Sequence, residues 1–161
     1  MNKIISVLLM SMVLGTVEPV TSVVQNPVVY MEEQMVDSGI TEEELKVFYR
    51  IVEAEVTGTG KFEPKKNVAS CIMNRVGTFA DTITDVVFQK IGKSYQFSPI
   101  VDGRYYTVTV TDETKLAVLS VLLNGSTHDC LYFCSMDCTS KWFKNKGTPD
   151  FTDGVHRFYR K

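Results

Sequence analysis

The chain has 161 residues, enough for one domain with a real core and not comfortably enough for two. It is 44% hydrophobic and 22% charged with a net charge of −2, ordinary for a globular protein. With no basic run longer than two residues, the charge pattern excludes an electrostatic nucleic-acid binder. Any ligand must be held by local groups rather than by a global field.

The chain opens with one positive charge, at Lys3, and the apolar stretch IISVLLMSMVLGTV. That stretch is shorter than the ~20 apolar residues of a membrane span and suits the core of an export signal. Residues 1–22 are therefore expected to be a signal peptide, with no membrane segment in the mature form. Residues 23–40 show no sustained period and are expected to be a linker with room for a short turn of helix, which leaves 41–161 as the single domain.

At Thr41 a capping box begins: a Thr hydroxyl for the first free amides, and Glu44 three residues on to reach back. The helix it starts runs to about residue 56, where TGTG stops it. A second helix is predicted over 64–76, with Pro64 at its first turn and Val68, Cys71, Ile72 and Val76 on one face. Residues 82–91 carry a third, short helical pattern. The alternation in YYTVTVT, 105–111, predicts a strand or β-arm. Residues 112–125 form the last helix, from an Asp cap to an Asn-Gly stop. The remainder is aromatic-rich and reads as loops or strands.

Four cysteines, Cys71, Cys130, Cys134 and Cys138, permit three disulfide pairings in an exported protein. Cys130, Cys134 and Cys138 with His128 superficially suggest a metal site, but the spacing is not that of paired zinc ligands. Structural cysteines or one disulfide are the expectation, with no metal. Cys71 lies at an apolar helical position and reads as a small buried residue.

Two glutamates near the end of the first helix need separating. At ~100° per residue with Leu45 at zero, Ile51 falls at about 240°, Phe48 at about 300° and Val52 at about 340°. Glu55 lands near 280°, inside this apolar arc, and Glu53 near 80°, at its polar margin. A carboxyl among apolar side chains loses hydration of its charged form and keeps its proton towards neutral pH, as a general acid requires. Glu55 is the candidate acid. Asp81, Asp85 and Asp102 are available as a second carboxylate, but none sits in a recognisable motif.

The segments IVEAEV, NVASCIMNRV, YQFSPIVDGRYY and VHRFYRK, in this order, resemble the SleB/CwlJ-type cell-wall hydrolases, which include the spore cortex-lytic enzymes. The resemblance covers about residues 45 to 161. It implies a lysozyme-like, lytic-transglycosylase-like α+β domain that acts on the glycan strands of peptidoglycan. It also places the family's catalytic glutamate on Glu55. Asn74 and Arg75 fall on its N-R pair, for which a structural role is expected. Gln96, Phe97 and Ser98 fall on its Q-F-S segment, and His156, Phe158 and Tyr159 on its closing motif. Gln96, Phe97, Ser98, Tyr105, His156 and Tyr159 are thus the expected substrate-binding residues, while Tyr105, Tyr106 and Trp142 offer aromatic faces to sugars. No cofactor is implied. The expected setting is a monomer, secreted or wall-associated, bacterial or phage-encoded. Two other readings remain open: a stem-peptide amidase or peptidase using a cysteine with His156, and a non-catalytic wall-binding module.

Overall fold

The computed structural model describes residues 26–160. The expected export signal lies outside the described residues, as does the start of the expected linker. Among the described residues no helix is long and apolar enough to cross a membrane.

The first helix, α1 (Pro27–Asp37), is capped by the Asn26 side chain and begins with proline. It falls in the stretch expected to be linker, and it packs on the core and on a later helix. Val28 and Met35 are buried in the core, and Lys115 of a later helix pairs with Glu32 at 3.1 Å. The sequence pattern missed it because only a narrow stripe of this short helix is buried.

Helix α2 (Glu42–Glu55) starts at the predicted capping box, with Glu44 N–H on Thr41 Oγ1 at 3.1 Å. It buries Leu45, Phe48, Ile51 and Val52 and carries Glu55 as its last residue. Helix α3 (Phe62–Arg75) buries Val68, Ala69, Cys71 and Ile72. The third helical pattern contracts to α4 (Ile83–Val87), which Thr82 caps, and the chain then makes a small hairpin of β1 (Lys90–Ile91) and β2 (Ser94–Tyr95).

Two short helices follow, α5 (Ser98–Asp102) and α6 (Arg104–Thr107), hinged at Gly103. Gly103 has φ 86°, a left-handed conformation that a side chain would strain. The β-arm predicted over 105–111 is corrected here: 105–107 are helical and 108–111 form no strand. Burial of Tyr105 against Phe88, ring centroids 5.4 Å apart, overrides the alternating pattern.

Helix α7 (Asp112–Asn124) packs against α1, α2 and α3. The C-terminal third supplies an antiparallel sheet in the order β3 (Tyr132–Ser135), β5 (His156–Tyr159), β4 (Phe151–Thr152). The short helix α8 (Lys141–Lys146) lies between β3 and β4 in sequence. The β3–β5 register sets Ser135 opposite His156 and Cys134 opposite Arg157. Helices thus form one body, and the sheet covers the end of α3.

Candidate active site

Glu53 prepares the ground for Glu55. The sequence placed Glu53 at the polar margin of α2, yet it is 1% exposed. Its carboxylate accepts from the Gly58 N–H at 3.1 Å, the Thr111 N–H at 3.0 Å and the Thr111 hydroxyl at 2.8 Å, and also from the Thr114 hydroxyl. Lys65, itself fully buried, stands 3.5 Å away and donates to the Gly58 carbonyl. Burial alone would raise the Glu53 pKa, but hydrogen bonds from Thr114, Thr111 and Gly58 outweigh it and hold the pKa below the ordinary value. Glu53 is thus a fixed anion that ties the loop after α2 to the start of α7. Gly58, with φ 97°, lets the loop turn its amide onto that anion.

Glu55 faces the other way, into a cleft of about 320 Å³ between the helical body and the C-terminal sheet. Phe97, Phe133 and Phe143 form its apolar wall, while Gln96, Ser98 and His156 supply polar groups. Arg75 and Arg104 flank it. Desolvation pushes the Glu55 carboxyl up to about 7; Arg104 and Arg75 oppose the rise and Asp102 adds slightly to it. Near neutral pH a proton is therefore held at this site and can be given up.

The two arginines are built in. Arg104 is gripped by Asp102, Nη2 to Oδ2 at 2.9 Å, and reaches across to donate from Nη1 to the Ala54 carbonyl at 2.8 Å. It thereby fixes the last turn of α2 beside Glu55. Arg75 is 5% exposed, donates from Nε to the Leu131 carbonyl at 2.7 Å, and lies over the Phe97 ring at 5.0 Å. Arg75 is thus tied to the backbone of the 131 segment and also lines the cleft.

Of the expected site residues, Glu55, Gln96, Phe97, Ser98 and His156 line this one cleft. The Gln96 side-chain amide is oriented by Gln89, and Ser98 Oγ accepts from Arg104 Nη2 at 3.3 Å. His156 is 3% exposed, and burial lowers its pKa, so it is a neutral imidazole. Tyr105 and Tyr159 are buried and do not line the cleft. Tyr105 packs on Phe88, and the Tyr159 ring packs on Phe143 with centroids 5.5 Å apart.

Arg104, Phe133, Phe143, Cys134 and Cys138 line the cleft without having been singled out for it. For Arg104 the D-G-R turn was the available signal, but nothing local ties it to Ala54, fifty residues away.

Among the described residues, Glu55 is the sole carboxylate lining the cleft. Asp102 is committed to Arg104, and Asp85 accepts from the Thr82 hydroxyl at 2.8 Å. The cysteines give no nucleophile in the helical core. Burial pushes the Cys71 thiol up to about 12 and the Cys130 thiol up to about 11, far from a thiolate at neutral pH. His128 has both ring nitrogens engaged, Nδ1 by the Cys130 N–H at 3.1 Å and Nε2 at the Asn67 carbonyl at 3.0 Å.

A helix-rich α+β body that presents one protonatable carboxyl at a helix end, facing an aromatic cleft, has the layout of a lysozyme-like enzyme. The characteristic pattern of the family described as Cell Wall Hydrolase matches residues 60–159, and the chain belongs to that family of enzymes. The matched span begins five residues after Glu55. Among solved structures, the chain is similar to the catalytic domain of the germination-specific lytic transglycosylase SleB from Bacillus anthracis. The TM-score is 0.60 and the identity 27%, covering 75% of this chain and 97% of that one. No curated protein matches the chain.

Proposed function

We propose that the chain is an exported enzyme that cleaves peptidoglycan glycan strands between N-acetylmuramic acid and N-acetylglucosamine by the lytic-transglycosylase route. Glu55 is the single acid and base. The observation that carries this reading is one desolvated carboxyl in a cleft whose other lining residues, among the described ones, include no carboxylate.

A hydrolytic glycosidase needs two carboxyls, one for the leaving oxygen and one for a nucleophile or water. With one, the same group serves twice. Glu55 protonates the glycosidic oxygen as the C1–O bond breaks. The resulting carboxylate then takes the proton of the muramic acid 6-hydroxyl as that oxygen closes on C1, giving a 1,6-anhydro end and restoring the acid. Arg75 and Arg104 stabilise the carboxylate between the two steps. Phe97 and Phe143 face the sugar rings, and Gln96 and Ser98 orient N-acetyl groups. Beside Phe143, Trp142 is 50% exposed and extends the aromatic wall outward.

Mass spectrometry of digested peptidoglycan tests this directly. Anhydro-muropeptides are expected from the wild type and none from Glu55→Gln. Hydrated reducing ends would replace the route with hydrolysis, and freed stem peptides would replace the enzyme class with an amidase.

A further inference from the structure

One wall of the Glu55 cleft carries two thiols. Cys134 lies in β3 and Cys138 follows four residues later, and both line the cleft. Between them the chain reverses, with the Cys138 N–H on the Ser135 carbonyl at 3.1 Å. Arg157 sits opposite Cys134 in the sheet and donates from Nη2 to the Cys138 carbonyl at 2.8 Å. Strand β5 therefore holds both ends of the turn and sets the two thiols near one another: burial, and then the neighbouring Cys138, push the Cys134 thiol up. Cys134 is 8% exposed, whereas Cys138 is more open. The other cysteines are sealed, Cys71 at 0% and Cys130 at 1% exposure.

We propose that Cys134 and Cys138 are a covalent modification site, closing into a disulfide that braces the cleft wall facing Glu55. The oxidising compartment this needs rests on the export included in the proposed function; the juxtaposition of the thiols does not. The oxidant is a low-molecular-weight disulfide, RSSR. Cys138, the accessible thiol, attacks as thiolate, forms a mixed disulfide and releases RS⁻. Cys134 then attacks the Cys138 sulfur as thiolate and expels the second RS⁻. The protons lost by the cysteines end on the leaving thiolates, so RSSR and two cysteine thiols give one internal disulfide and two RSH. The bond locks the 134–138 turn, and with it Ser135 opposite His156 in the cleft.

The test uses the purified chain incubated with glutathione disulfide or with dithiothreitol, alkylated before unfolding, digested and analysed by mass spectrometry. The oxidised sample is expected to yield a peptide linking Cys134 to Cys138, two hydrogens lighter and resistant to alkylation. Cys71 and Cys130 are expected to alkylate only after denaturation. Full alkylation of Cys134 and Cys138 after oxidation, or pairing of either with Cys71, Cys130 or a second chain, would overturn the proposal. Closing so short a loop is expected to raise Tm by about 4–8 °C over the reduced form, with no such difference in Cys138→Ser. A wild-type Tm indifferent to reduction would remove the bracing role. Neither readout involves glycan cleavage, so this proposal and the proposed activity fail separately.

Discussion

Glu53 and Lys65 pair at 3.5 Å with both side chains shut off from solvent, two residues before the candidate acid. Removing one partner leaves a buried charge uncompensated, which typically costs about 3–5 kcal/mol. Lys65→Met is therefore expected to lose about that much stability in urea denaturation. Because the folded Glu53 pKa lies below its ordinary value, its contribution is complete above the unfolded pKa and disappears as pH falls through the folded one. The acid-unfolding midpoint of Lys65→Met should accordingly move to higher pH.

Glu55→Gln is expected to lower glycan cleavage by about 10²–10⁴-fold, the usual worth of a general acid. In the wild type the protonated form declines above about pH 7, so the rate should fall along an alkaline limb centred there. The same shift lowers stability in the same direction of pH. A carboxyl raised from 4.5 to about 7 contributes fully below the unfolded value and loses that contribution as pH rises to the folded one. At pH 8 Glu55→Gln should thus be more stable than the wild type, by about 1–3 kcal/mol, in thermal or chemical melts. Equal stability at pH 8 would argue against a desolvated Glu55.

Arg104 ties the Ala54 carbonyl and lies within electrostatic reach of Glu55, whose pKa it lowers. Arg104→Met should therefore raise the Glu55 pKa and move the alkaline limb of the pH–rate profile upward, with the maximal rate also reduced. An unmoved limb would make Arg104 a purely structural clamp.

Trp142 is half exposed and touches Phe143, a residue of the cleft wall, with Lys146 over its ring at 4.2 Å. Trp142→Ala is expected to raise KM for glycan strands by about 3- to 10-fold with kcat little changed, the effect of losing one aromatic contact. A drop in kcat alone would place Trp142 outside substrate binding.

Met35 of α1 is 6% exposed and belongs to the common core. Met35→Ala should cost about 2–5 kcal/mol by guanidinium melts if α1 is part of the folding unit. A neutral effect would return residues 27–37 to the status of a linker.

The sequence made the main helices legible because their signals are local. The Thr41 box, the start of α7 (capped by Thr111, one residue before the expected Asp112) and the apolar phase of α2 each depend on residues within a turn or two of one another. Periodicity also turned Glu55 and Glu53 to different sides of α2. It misjudged Glu53, because the wheel describes one helix and cannot show that Lys65, Thr111 and Thr114 converge on that side to satisfy a buried anion. The strand read into 105–111 failed for a related reason, since packing of Tyr105 outweighs alternation.

By itself, then, the sequence determined one acid-bearing helix, its stop and the order of the family's motifs, all properties of neighbours along the chain. Only the tertiary structure decided what surrounds that acid. Desolvation of Glu55 and the placement of Arg75 and Arg104 come from segments up to fifty residues apart. The cleft wall from β3, β5 and α8, with its paired thiols, comes from more distant segments still. A carboxyl's pKa follows from the atoms within a few ångströms of it, and chain order does not specify those atoms until the fold closes.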